Sequence, residues 1–365
     1  VVVTDTAIGD VRGGEGFYHY RQYSAVDLAR SRSFEDVWFL FVEGHLPSPA
    51  ERLAFAGEVA PLRVVPTAVE PVLSAVAAGG GQGPLDGLRS ALSIVAASHK
   101  MRPVLDIDPV ERRLDALTLA AVTPTLAAAL YQLQHGRDPI DPRADLGTAA
   151  NLLWMIGLEP EPDAARALEQ YLIATIDHGF NASTFTARVI ASTGADVGGC
   201  VVGAVGALSG PLHGGAPSRA LDLLDEIGTP ERIDEVVGPK LAANERIMGF
   251  GHAVYRGTDP RSTLLHEVAQ RQHAPRVAFA EQVEARVVEL LAERHPGRNL
   301  QTNVEYYAGV VMEACGLPSS LFTPAFCTSR IVGWGAHILE QAADTHILRP
   351  SARYIGPPAP APLPV

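Results

Sequence analysis

ERRLDALTLAAVTPTLAAALYQLQH, residues 111–135, decides the fold class. Its apolar side chains recur at helical spacing, and alanine and leucine, both strong helix formers, dominate it. Pro124 lies inside the run and predicts a break or kink, because proline lacks the N–H and crowds the preceding turn. The pattern extends outward. Residues 85–99, 144–157 and 163–177 are also apolar at helical spacing, with Pro103 and Pro139 as punctuation. Residues 24–30 and 34–43 read as helices, the second ended by Gly44 and Pro47. A helix begins at Pro217-Ser218 and runs to Glu226, Val283, Val287, Leu290 and Leu291 mark an amphipathic one, and 325–343 is another. Strand signals are confined to a short hairpin over residues 5–20, with Tyr354-Ile355 as the one further candidate. Residues 357–365 form a Pro-rich tail with no core-forming potential, and no internal repeat is present. The sequence therefore predicts a mainly α protein, many helices packed on one another.

The 365 residues suffice for one large or two medium domains with a real core, and 47% hydrophobic against 19% charged residues excludes a disordered chain. No run reads as a transmembrane span, and no basic-then-apolar leader opens the sequence. Cys200, Cys315 and Cys327 lack metal or redox spacing and read as reduced thiols of a cytoplasmic protein. The net charge of −12 argues against nucleic acid or an anionic membrane as partner. The glycine run 79–83 lacks the Lys-Ser/Thr of a phosphate loop and reads as a surface loop.

Four segments set polar residues among small and apolar ones. In DHGFNAST (177–184) an apolar helix ends at Asp177-His178, Gly179 permits a turn, and Asn181 or Ser183 caps the next helix. His178 at that junction can donate to an anionic ligand. In SGPLHGGAP (209–217) one histidine, His213, sits among three glycines and two prolines, in backbone that lets a ligand come close. The next helix starts at about Ala216, and its positive end disfavours imidazolium, which suits a neutral His213 donating to a developing oxyanion. In MGFGHAVYRGTDPR (248–261) a Gly-Phe-Gly turn exposes backbone N–H groups beside His252, and Arg256 and Arg261 follow. Histidine with arginines suits a carbonyl flanked by carboxylates. In QTNVEYYAG (301–309) Glu305 opens an apolar helix, where a carboxylate could serve as general base or simply be a solvated first-turn glutamate. Arg330, inside the apolar TSRIVGW (328–334), needs an anionic partner if buried, and Arg349 lies in LRP (348–350).

Together these segments resemble the citrate synthase family. The likeness begins with Thr6-Ala7-Ile8, residues 16–21 and 34–37, passes through LDGLR (85–89), and runs in family order to Arg330 and the LRPSARYIG segment of Arg349. The resemblance implies a large and a small helical domain, 1–215 plus 316–365 and 216–315, the small one closing over the site. It implies condensation of acetyl-CoA with oxaloacetate and water to citrate and CoA, with no tightly bound cofactor and no metal. His213 would hold the thioester carbonyl and its enol, and His252 would polarise and protonate the ketone. His178, Arg261, Arg330 and Arg349 would bind oxaloacetate, with Arg349 reaching the other subunit's site in a homodimer. Arg256 and residues Met248, Gly249, Phe250 and Gly251 lie where the family binds CoA. At least four arginines would thus gather positive charge for anionic substrates within an acidic protein.

One position departs. The family's base is normally an aspartate in NVD; here NVE carries Glu305. The extra methylene moves the carboxylate by roughly a bond length, and about 1 Å of misplacement can cost a hundredfold in rate. Either the backbone shifts so that Glu305 still reaches the methyl group, or the pocket takes another acyl-CoA or oxo acid, such as propionyl-CoA in 2-methylcitrate synthesis. The third outcome is weak or absent condensation, leaving a helical dimer that senses CoA or a dicarboxylate. Before Asn303, Arg298 stands near where many relatives place a lysine. A zinc enzyme built on His178, His213 and His252 is disfavoured, since no ligand spacing or acidic neighbours accompany them.

Overall fold

The computed structural model describes residues 2–79, 83–211, 213–214, 216–252, 254–344, 346–357 and 360. Among the described residues sixteen α-helices surround one small antiparallel sheet, β1 (Gly9–Arg12), β2 (Phe17–Tyr20) and β3 (Tyr23–Ser24), in that order. The hairpin is two-stranded as read, with Gly9 opposite Tyr20 and Arg12 opposite Phe17, and a third short strand completes it. Gly16 turns it in the left-handed region. Alternation buries Tyr18 and Tyr20, and their hydroxyls donate to the Ala174 and Ile173 carbonyls at 3.1 and 2.9 Å. The hairpin is thereby fixed to the end of helix Pro162–Ala174, one turn before His178.

Helix ends follow local chemistry. Ser33 caps helix Phe34–Glu43 through the Asp36 N–H, and Gly44 ends it at φ 82°. Ser48 and Glu51 form a reciprocal capping box at helix Pro49–Val59. Two expectations fail. Helix Pro109–Gln134 runs through Pro124 without a break. An interior proline costs about 3 kcal/mol. Every residue from Ala116 to Leu130 is buried, and full burial of a single leucine returns about 1.5–3 kcal/mol, so packing outweighs the local penalty. The same helix is also long and apolar enough to cross a membrane by composition, contrary to the sequence reading. Because 83% of its apolar window is buried inside the protein, it is a core helix.

Helix Phe322–Ala342 packs along this core helix and is itself buried over most of its length. Gly333 lets the same helix approach the chain just after helix Pro162–Ala174: a Cβ there would meet the Ile176 carbonyl oxygen at 2.2 Å. That contact brings Arg330 and the 175–178 segment together. Helices Ala216–Ile227, Ile233–Ala242, Pro260–Arg271, Val277–Arg294 and Val304–Ala314 pack on one another and meet the rest at helices Pro162–Ala174 and Phe322–Ala342. Tyr354 and Ile355 are exposed and outside any strand. Residues 80–82 of the glycine run, Leu212, Gly215 and Ala253 of the two histidine segments, and most of the Pro-rich tail lie outside the described residues.

Candidate active site

A cleft of about 990 Å³ is lined by His178, His213, His252, Glu305, Arg261 and Arg330, and by Met248, Gly249, Phe250 and Gly251. Three short segments, two helix starts and the middle of helix Phe322–Ala342, far apart in sequence, supply these groups.

His178 and His213 stand on one wall. Gly179, at φ 61°, turns the chain after His178, and Asn181 then caps helix Ala182–Ser192 by accepting from the Thr184 N–H. His213 follows helix Val197–Leu208 in a turn closed by Gly214 N–H donating to the Leu208 carbonyl at 2.9 Å. Its Nε2 is 2.8 Å from Ser183 Oγ, which also lies 2.8 Å from Asn181 Oδ1 and accepts from Trp334 Nε1 at 3.2 Å. Burial, and then the Arg330 charge, push the His213 imidazole down to about 4, so it is neutral at pH 7. Neutrality matches the sequence expectation, but the leading cause is desolvation.

The opposite wall is built by two strands of chain zipped together. Gly251 N–H donates to the Gln301 carbonyl at 2.8 Å, Asn303 N–H to the Gly249 carbonyl at 2.9 Å, and Asn303 Nδ2 to the Gly251 carbonyl at 2.9 Å. Gly249 and Gly251 both have positive φ, 85° and 79°, which this tight path requires. The N–H of Phe250 donates to the Ile247 carbonyl. The N–H groups of Phe250 and Gly251, read from sequence as open to a ligand, are therefore used internally.

His252 has a defined tautomer. The N–H groups of Val254 and Tyr255 both point at its Nδ1, at 2.9 and 3.3 Å, so Nδ1 accepts and the proton sits on Nε2. Arg261 Nη2 lies 3.2 Å from that Nε2. With Nε2 protonated, this contact is one between two donors, and among the described residues no other acceptor takes the Nε2 proton; a ligand oxygen approaching both groups would accept from them. Burial and then Arg261 hold His252 near 4, with Asp259 opposing.

The two arginines differ. Arg261, 3% exposed, is gripped by Asp259 through Nε at 3.0 Å and Nη2 at 2.7 Å. Asp259 Oδ2 also accepts from the Val304 N–H at 3.1 Å, tying this pair to the helix that carries Glu305. Arg330, 2% exposed, donates Nε to the Thr175 carbonyl at 2.9 Å and stacks over Phe326, but among the described residues forms no ion pair with a carboxylate. A buried guanidinium without a counter-ion is costly, and this one faces the cleft. Glu305 follows the Asn303 cap of helix Val304–Ala314. Burial pushes its carboxyl up to about 7, against the pull of Arg261 and with help from Asp259. It is not the solvated first-turn glutamate that its position alone allowed.

Two sequence candidates lie elsewhere. Arg256 is exposed and lines a second cavity of about 550 Å³ with Gly13, Gly14, Glu15, Gly16 and Arg30. Arg349 is exposed, outside the cleft of its own chain. The structure adds Ser183, Asp259 and Tyr255, which were inside the quoted segments but were not given site roles. It also adds Tyr171 on the cleft wall, whose buried hydroxyl has no partner among the described residues, with no signal beyond its place in an apolar helix. Arg246, His295 and Arg298 line the same cleft.

The family model for the citrate synthase C-terminal domain matches residues 1–351. A citrate synthase of Deinococcus radiodurans is 35% identical over 98% of this chain and 94% of its own length. A 2-methylcitrate synthase of Mycobacterium tuberculosis is 38% identical over 98% and 89%. The solved ternary complex of the Thermoplasma acidophilum citrate synthase with carboxymethyl coenzyme A and oxaloacetate superposes with a TM-score of 0.91 at 25% identity, covering 100% of this chain and 97% of that one. The chain belongs to the citrate synthase family. This is a family of condensing transferases, and the mainly helical fold is the family's. Among the described residues no group of three or more His, Cys, Asp or Glu side chains is placed to hold a metal ion.

Proposed function

We propose that the protein condenses acetyl-CoA with oxaloacetate through His213, His252 and Glu305, releasing citrate and CoA. The observation that carries this is the convergence, in one cleft, of a carboxylate poised near pH 7, two neutral imidazoles and two buried guanidinium groups. A base with a pKa near the working pH combines availability with strength. Glu305 takes a proton from the methyl carbon of the thioester. His213 donates to the thioester oxygen as negative charge moves there. The Ser183 hydroxyl donates to Asn181 Oδ1 in the structure; rotated by acyl-CoA binding to donate to Nε2 instead, it leaves the imidazole proton on Nδ1, which supplies that donor. The methyl carbon then bonds to the ketone carbon of oxaloacetate, whose oxygen receives the Nε2 proton of His252. Water finally adds to the acyl carbon, the C–S bond breaks, the CoA thiol leaves with one proton of that water, and the proton taken up by Glu305 is released as His252 Nε2 is reprotonated.

Arg261, Arg330 and His178 bind the oxo acid's carboxylates in this reading. Arg246 and Arg298, with residues 248–251, form the CoA end of the cleft. Arg256 joins that end only if its loop moves. Residues 216–315 act as a small domain closing over the large one, which keeps water out until the carbon–carbon bond has formed. The active unit is a homodimer, and the exposed Arg349 completes the partner's site. Three free, buried cysteines fit a reducing compartment, and we assign the enzyme to the cytoplasm. The 38% identity to a 2-methylcitrate synthase favours propionyl-CoA as the second reading, and one methylene separates the two by only about 1–3 kcal/mol. Release of free thiol from acetyl-CoA and from propionyl-CoA, each with oxaloacetate, tests both. Thiol release from neither would leave the non-catalytic sensor.

A further inference from the structure

We propose that Tyr255 is a positioning residue: its hydroxyl donates to His178 Nε2 and thereby fixes the proton of His178 on Nδ1, facing the substrate. The inference rests on the assignment of His178 to the oxo acid. Tyr255 Oη and His178 Nε2 are 2.9 Å apart, and neither atom has another hydrogen-bond partner among the described residues. Tyr255 is 5% exposed. Were Nε2–H the donor, the phenolic proton would be buried without an acceptor, at the cost of an unmade hydrogen bond. With the phenol as donor, both atoms of the contact are used and the free ring nitrogen carries a proton.

The surroundings require the same arrangement. His178 lines the cleft beside Arg261 and Arg330, and an anion drawn there offers only acceptors. A histidine serving that anion must present an N–H, and with Nε2 occupied only Nδ1 can. Burial, Arg261, His252 and Arg330 hold His178 well below its ordinary pKa, so a second proton is not the source. Burial raises the Tyr255 phenol, so it keeps its proton. The ring of Tyr255 also lies 4.8 Å from that of His252, and its backbone N–H points at His252 Nδ1. One residue therefore orients two histidines from different segments, and these take opposite tautomers: Nε2–H on His252, Nδ1–H on His178.

The test uses full-length enzyme labelled with ¹⁵N-histidine and free of substrate, with the His178 resonances identified by their loss in His178→Gln. The expected result is His178 protonated at Nδ1 in the wild type and at Nε2 in Tyr255→Phe. With oxaloacetate, Tyr255→Phe should raise KM, or the calorimetric Kd, about tenfold, with the KM for acetyl-CoA and the Tm nearly unchanged. A wild-type His178 carrying its proton on Nε2 would overturn the proposal, as would an unchanged oxaloacetate affinity in the variant. The tautomer is read without turnover, so absent thiol release in the wild type would count against the proposed reaction and not against this contact.

Discussion

The two histidines proposed for catalysis reach the same electrical state by different construction. His213 and His252 are both held near 4, first by burial and then by one arginine each, Arg330 and Arg261. His213 is oriented by a side chain, Ser183, which is itself shared with Asn181 and Trp334. His252 is oriented by backbone N–H groups. A tautomer set by a side chain is open to substitution, whereas one set by the main chain persists as long as the local fold does. The tautomer of His252 is thus tied to the local main chain, and that of His213 to a relay of hydroxyl, amide and indole.

The largest effect should come from Glu305, the proposed base. Glu305→Gln should lower kcat by about 10³-fold or more and leave oxaloacetate binding by calorimetry nearly unchanged; retained turnover would remove Glu305 from its role. With the Glu305 pKa at about 7, wild-type kcat should fall on the acid side below about pH 7, and the histidines, neutral above about 4, should leave the alkaline side flat. The sign for stability is opposite. A carboxyl raised on folding contributes stability that is complete below its unfolded value of about 4.5 and is lost as pH rises through 7. Glu305→Gln should therefore raise Tm at pH 8 and not at pH 4.

Next in size, Ser183→Ala should cost His213 its fixed tautomer and lower kcat roughly tenfold or more, the worth of one oriented donor. No change in kcat would break the contrast between the walls. Asp259→Asn probes the other wall. It frees Arg261 and weakens the tie to Val304, so the KM for oxaloacetate should rise several-fold. The acid limb should also move to lower pH, because Asp259 raises Glu305 and Arg261 lowers it. A limb unmoved in the pH–rate profile would dissociate Glu305 from that limb. The smallest effect is on stability. Tyr171→Phe removes a buried hydroxyl that has no partner among the described residues, and should leave Tm unchanged or raise it slightly, by about 1 kcal/mol at most in stability.

Much of this was legible because it is local. Gly44 and Asn181 act at their own helix ends, and the glycines of 248–251 declare a path that only they follow cheaply. The histidines and Glu305 announced themselves as polar groups in apolar or glycine-rich settings. What was misread depends on distant partners. Pro124 was read by its local penalty, but packing on both sides overrode it. The N–H groups of Phe250 and Gly251 were read as free, but Gln301 and Ile247 take them.

The sequence by itself determined the helical class, the caps, the hairpin and the residue types needed for carbonyl activation, because propensity, turn chemistry and order along the chain are properties of neighbours. Only the tertiary structure decided that burial pushes Glu305 up to about 7, that among the described residues Arg330 lacks a carboxylate while Arg261 has one, and which nitrogen of each imidazole carries the proton. Those are set by desolvation and by hydrogen bonds across the fold, such as Tyr255 to His178, between residues 77 positions apart.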